Sequence, residues 1–344
     1  MDKREGVISQ VNNMENPYIP GGPVKDPGMF FGREDTLTRI FKDIGRKQMQ
    51  SHCIIGERRI GKTSLLNQVM CNQIQERYIK GIESFVFVKT DITLFPDASP
   101  SVLFEKWSKD IFKISGQALS TEPGYLSFRG LVENVTETGY RIIILLDEFE
   151  ATAEYSNLNR GFFEFLRALT QNYDISFVLF SRIPLQFLMK KEKFSSKFSS
   201  PFFNTLNISY LKFLRESTAK RLIAEPSQKV GTDISSFTEF ILEQAYYHPY
   251  LLQQLCYIVF SHKKSSDTDH EKIMEEFKTE TEVFFTYLWQ HSDPDEQEAL
   301  KKLVSKEKDI PKTSLDNLDR RSILTEDRSK IFCPLFEEFI RRKI

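Results

Sequence analysis

Residues 54–66 read IIGERRIGKTSLL, a run that few folds accommodate. Two apolar residues end at Gly56. Glu57, Arg58, Arg59 and Ile60 follow, Gly61 closes the loop, and Lys62, Thr63 and Ser64 open an apolar helical run. The pattern is GxxxxGK[ST], in which a glycine-bounded loop turns successive N–H groups inward at the positive end of a helix and so forms an anion cradle. In such a loop Gly56 and Gly61 permit the backbone angles, Lys62 supplies a point charge to β- and γ-phosphates, and the Thr63 hydroxyl is placed to ligate Mg²⁺. The chemistry needs a strand directly before and a helix directly after. HCIIG (52–56) and KTSLLNQVMCNQIQERY (62–78) supply them.

The surrounding chain repeats that alternation. SFVFVKTD (84–91) precedes a helix near 100–115 in which Phe104, Trp107, Ile111 and Ile114 recur at helical spacing. RIIILLD (141–147) precedes a helix near 160–172, ISFVLFS (175–181) comes next, and NTLNISYL (204–211) is a weaker fifth strand. Continuous apolar strands separated by helices predict an α/β fold whose parallel sheet is covered on both faces. Between 214 and 262 the strand signals stop, and three helices are expected, the last opened by Pro249. A charged linker (263–272) leads into a helix ending near Trp289. DEQEALKKLV, TSLDNLDRRSIL (capped by Thr313 or Ser314) and PLFEEFIRRKI read as helices, and SILTEDRSKIFC as a hairpin around EDRSK. Helices followed by a hairpin match a winged helix. The expected division is a flexible segment at 1–28 that becomes an ordered loop near the core, a phosphate-loop core at 29–212, a helical lid domain at 213–264, and a linker helix with a winged helix at 265–344.

A chain of 344 residues, 40% hydrophobic and 28% charged, buries a sizeable core without needing a disulfide or a metal. Lys+Arg at 47 against Asp+Glu at 48 leaves a net charge of -1, so nothing global marks a nucleic-acid or membrane polyelectrolyte. Cys53, Cys71, Cys256 and Cys333 are scattered, without metal-ligand spacing, and three of them sit in apolar runs. The amino terminus has no apolar segment suited to secretion, and the longest apolar run, IIILL, is too short to span a bilayer. A cytoplasmic protein without a membrane partner is expected.

A phosphate loop that serves hydrolysis needs a second strand ending in acids, and IIILLDEFE provides it. Asp147 would hold Mg²⁺, usually through water, and Glu148 would polarise an attacking water as general base. At the tip of the next strand Ser181 is placed to orient that water and Arg182 to read a γ-phosphate with its forked donors.

MFFGREDTL, GERRIGKTSLL, IIILLDEFE, LFSR, YYHPYLLQQL and SILTEDRSKIFCPLFEEFIRR occur in an order that resembles the archaeal-type ATPases and STAND NTPases, a branch of the AAA+ superfamily. The resemblance runs from about residue 16 to the carboxyl end. It implies that Phe31, Gly32, Arg33 and Glu34 border an adenine pocket, that Ser181 and Arg182 occupy the sensor position, and that Pro249 packs near the base or ribose. Tyr247 stands where that motif commonly has glycine, so His248 is open between a nucleotide contact and a capping or core histidine. ATP or ADP with Mg²⁺ is the implied ligand, and slow ATP hydrolysis driving a conformational switch the implied activity. A protein partner acting as sensor or effector, or a second copy of the chain, is the expected associate. The alternative is a DNA-associated AAA+ ATPase reading duplex through the winged helix. Local charge disfavours it: residues 294–344 hold 12 Lys+Arg and 11 Asp+Glu, a net of +1.

Overall fold

The computed structural model describes residues 15–96, 98–116, 122–185, 200–266, 268–307 and 309–344. Half of the segment expected to be flexible, residues 1–14, lies outside them.

Five parallel strands form one sheet: β1 (His52–Ile55), β2 (Phe85–Asp91), β3 (Arg141–Asp147), β4 (Ile175–Ser181) and β5 (Asn207–Tyr210), in the order β2-β3-β4-β1-β5. The run at β3 is apolar throughout because both faces are covered. Ile142, Ile144 and Leu146 pack under α4 (Pro100–Ser115), α5 (Tyr125–Glu137) and α6 (Arg160–Asn172), with Phe104, Trp107, Phe128 and Phe162 in the same layer. Ile143 and Leu145 face the opposite layer with α1 (Glu34–Ile44), α2 (Lys62–Val69) and α3 (Asn72–Tyr78). The buried Trp107 indole donates to Thr90 Oγ1 at 3.0 Å, so its one polar atom is satisfied inside the core.

The single helix expected at 62–78 is two, broken at Met70–Cys71, and the Val69 carbonyl exposed by the break is taken by Gln75 Nε2 at 2.9 Å. Helix α5 has no counterpart in the sequence-based expectation.

Beyond the sheet come α7 (Glu216–Lys229), α8 (Thr238–Ala245), α9 (Pro249–Lys264), α10 (His270–Gln290), α11 (Pro294–Val304), α12 (Lys312–Arg320) and α13 (Pro334–Arg341). These helices share one continuous apolar cluster running from Leu222 and Leu251 through Phe277 and Phe285 to Phe336 and Phe339. Helix α12 begins at Lys312 behind Pro311, with no side-chain cap, so the expected Thr313 or Ser314 cap is corrected. Asp293 instead caps α11 in a reciprocal pair with Glu296. The hairpin around EDRSK is reduced to one antiparallel bridge, Leu324 with Ile331. Among the described residues no helix is long and apolar enough to cross a membrane.

Candidate functional site

The strand order decides where the chemistry-bearing residues meet. Because β4 lies between β1 and β3, the tip carrying Ser181 and Arg182 falls between the glycine loop after β1 and the acid pair ending β3. Ligands of open α/β sheets gather at these carboxyl ends.

The loop is shaped by two different demands on its glycines. Gly61 sits at φ 102 and Arg59 at φ 64, so the left-handed steps fall there. Gly56 is required by space instead: a Cβ there would meet Ile60 Cγ2 at 2.7 Å, Leu211 Cβ at 3.1 Å and the Leu211 carbonyl at 3.3 Å. Gly56→Ala is expected to cost about 1–3 kcal/mol of stability as an overpacked site and to weaken phosphate binding by displacing the loop. Thermal unfolding and nucleotide titration of that variant check both effects. Lys62 is buried, and its Nζ donates to the Gly56 carbonyl at 3.0 Å and lies 3.4 Å from that of Glu57. The ammonium thus spans the cradle that the loop closes.

Thr63 Oγ1 donates to Asp147 Oδ2 at 3.0 Å, joining the loop helix to β3 across the β4 tip. Burial raises the Asp147 carboxyl, while the Thr63 hydroxyl and the Glu148 N–H counter it. Burial likewise pushes Glu148 up to about 7, with the Glu150 and Asp147 charges adding and Lys62 opposing. Glu148 takes a left-handed backbone at φ 49. It lines the loop cleft together with Lys62 and Thr63. A hydroxyl and a carboxylate beside an open anion cradle are hard oxygen donors of the type Mg²⁺ takes, so the residues present fit that ion.

Ser181 is placed differently from the expectation. Its hydroxyl donates to the Ile183 carbonyl at 2.8 Å, its own carbonyl accepts the Gly56 N–H at 3.1 Å, and it is fully buried. It braces the loop against β4, with its one proton already committed. Arg182 lines a second cleft, of about 500 Å³, with Arg58, Lys62, Glu148 and Glu150. Glu57, counted with the loop as a nucleotide contact, turns away from it. That carboxylate is 4% exposed and accepts from Arg321 Nε at 2.7 Å, so the loop is tied to the carboxyl-terminal helices.

The loop cleft, about 320 Å³, is lined by Phe31, Arg33, Arg58, Arg59, Ile60, Gly61, Lys62, Thr63, Ser64 and Pro249, all singled out from sequence. Gly32 stands behind the wall at φ 77, where a Cβ would strike Thr218 Cγ2 at 2.8 Å. Arg33 acts as a brace: Nη2 donates to the Lys212 carbonyl at 2.6 Å and the Ile60 carbonyl at 3.2 Å, and burial lowers its guanidinium to about 10. Ile19 to Val24, Leu214, Leu222, Tyr250 and Gln253 also line the cleft and were not legible as site residues. The segment before Phe31 is a packed strap. Val24 N donates to Ser64 Oγ at 3.0 Å, Ile19 N to Gln253 Oε1 at 3.0 Å, and the Tyr18 hydroxyl to the Ile223 carbonyl. These contacts hold Tyr18, Ile19 and Val24 against α7, α9 and α2. Arg59 lies over the Tyr250 ring at 4.2 Å, pairing the loop with α9.

His248 stays out of both clefts. It is buried against the rings of Phe213, Phe284 and Phe332, and its Nδ1 has no hydrogen-bond partner among the described residues. It is a core histidine. Burial, with the Arg33 and Arg59 charges adding, pushes the imidazole down to about 3. The unfolded chain, with an ordinary value near 6.5, binds the extra proton between those limits. Stability from His248 is therefore complete above about pH 6.5 and falls by about 1.4 kcal/mol per pH unit as pH drops toward 3. His248→Phe is expected to flatten that slope in urea titrations between pH 7 and pH 4. His52, also depressed by burial, retains its own share.

No curated protein matches the chain. Among solved structures, the Walker-type ATPase PABY2304 of Pyrococcus abyssi shares the fold at TM-score 0.64 and 15% identity, over 93% of this chain and 98% of that one. The ORC2 protein of Aeropyrum pernix, in ADPNP-ADP complexes, gives TM-score 0.54 and 12% identity over 96% and 97% of the two chains. The family nSTAND2, described as Novel STAND NTPase 2, matches residues 44–309. That span covers the sheet, the phosphate loop, the acid pair and helices α7–α9, and on it this chain belongs to the nSTAND2 family of P-loop NTPases.

Proposed function

We propose that the protein binds ATP and ADP with Mg²⁺ in the 320 Å³ cleft, hydrolyses ATP slowly, and uses the difference to switch between two arrangements of its sheet unit and its lid. The observation that carries this reading is the ownership of that cleft: the phosphate loop lines one side, and Leu222, Pro249, Tyr250 and Gln253 of the lid line the other. A ligand shifts a conformational equilibrium only through unequal contacts with the two states, and a nucleotide held by both units makes such contacts. The ADPNP-ADP complexes of the Aeropyrum protein support an adenine nucleotide.

In this reading the loop amides and Lys62 hold the β- and γ-phosphates, and Thr63 and Asp147 hold Mg²⁺. When bound, the ion neutralises charge on the phosphate oxygens. Glu148 accepts the proton of the attacking water, Arg182 faces the terminal phosphate, and Ser181 keeps β1 and β4 in register. The proposed division is a core at 29–212, a lid at 213–264, and a linker helix with a winged helix at 265–344. The α11, α12, single-bridge, α13 order supports the last. The location proposed is cytoplasmic, with a sensor or effector protein or a second copy as partner.

Duplex binding by the winged helix is not favoured. Arg328 pairs with Asp316 and Asp319, Lys212 with Asp319, and Arg321 is buried against Glu57 and Glu296, so these cations are engaged within the chain. Solution scattering with Mg·ADP and then with the imido analogue of ATP tests the switch. Different profiles are expected, and superimposable ones in a protein that binds both nucleotides would refute it.

A further inference from the structure

The turn after Glu148 carries a second carboxylate, Glu150, which none of the roles above uses. Phe149–Ala153 form a 3-10 turn, entered through the left-handed Glu148. That step redirects the chain toward the tip of β4, where Glu150 meets Arg182 twice. Its Oε2 accepts the Arg182 backbone N–H at 3.0 Å, and its Oε1 lies 3.7 Å from the guanidinium Nε. The side chains are 11% and 23% exposed, so this pair is less screened than a surface one.

The geometry leaves Arg182 held but not consumed. A guanidinium carries five donors, and Glu150 faces the Nε edge alone. Among the described residues the terminal nitrogens make no hydrogen bond, while the Tyr287 ring, 6.0 Å from Cζ, covers one side. Glu150 and Arg182 line the same cleft as Lys62 and Glu148. A free arginine side chain has rotamer entropy to lose on engaging a ligand. Fixing its backbone and its Nε beforehand removes part of that cost.

We propose that Glu150 is a positioning residue that sets the Arg182 guanidinium against the terminal phosphate of bound nucleotide. The assignment rests on the nucleotide reading of the site, and its test separates the two. Calorimetry compares Mg·ADP with the Mg²⁺ complex of the imido analogue of ATP for the full chain, Glu150→Ala, Glu150→Gln, Arg182→Ala and the Ala/Ala double variant. The full chain is expected to prefer the triphosphate. Each Ala variant loses about 10–100-fold of that preference, the worth of a charged hydrogen bond, with ADP affinity intact as a check on folding. The double variant loses no more than Arg182→Ala, and Glu150→Gln, which keeps an acceptor for the backbone N–H, falls between. A preference that survives or rises in Glu150→Ala overturns the proposal, as do losses that multiply in the double variant or a full chain without preference. A full chain that binds neither nucleotide overturns the proposal and the nucleotide reading together.

Discussion

Glu148→Gln is expected to bind Mg·ATP as the parent does and to hydrolyse it about 10²–10⁴-fold more slowly, the loss that removal of a general base produces. The substitution keeps the size and the hydrogen-bonding capacity of the side chain and removes its ability to take a proton. The left-handed backbone at φ 49 and the contacts of the loop cleft are preserved, so binding and turnover separate. Single-turnover hydrolysis beside an equilibrium titration measures both. Unchanged turnover removes Glu148 from the chemistry.

The second large effect concerns the tie between loop and carboxyl-terminal helices. Arg321→Met leaves Glu57 and Glu296 buried without their cation, and breaking one partner of a buried pair costs about 3–5 kcal/mol. Arg321 also donates to Ser292 Oγ at 3.0 Å, so several polar groups lose a partner at once. Arg321 pulls both carboxyls down, and their other surroundings set the net direction. Burial works against Glu57, yet Arg321 and the Arg58 N–H hold it below its ordinary value; burial raises Glu296, beside the Asp293 charge, despite Arg321. Hydrogen exchange is expected to quicken in the phosphate loop and in α11 of Arg321→Met. Replacing Glu57 and Glu296 by Gln in the same chain should restore at least half of the lost protection, because no buried charge then stands alone. Equal protection in Arg321→Met and the parent would show that the tie carries no energy.

What the sequence disclosed follows how local each signal is. The strands were legible because burial on both faces turns RIIILLD and ISFVLFS into unbroken apolar runs. The phosphate loop was legible because strand, glycine spacing and helix lie within a few residues. Helix α5 was not, although Phe128, Leu131, Val132 and Val135 form its buried face: Gly130 interrupts the segment, and Val132, Val135 and Thr136 favour strands. The break at Met70–Cys71 has no glycine or proline to announce it. The anchors of the strap were not legible: Pro20, Gly21, Gly22 and Pro23 carry turn chemistry, while Ser64, Ile223 and Gln253 lie far along the chain. Glu57 and Arg321 are 264 residues apart, and pairing at that range leaves no periodicity to detect.

Every role assigned to the site requires a triphosphate cradle between Lys62 and the acid pair of β3, which calorimetric titration of the purified chain with Mg·ADP and Mg·ATP probes without intermediary. The predicted result is saturable uptake at one site per chain, dependent on Mg²⁺ for full affinity and lost when Lys62 is replaced by Ala. Folded parent protein that takes up neither nucleotide would contradict it.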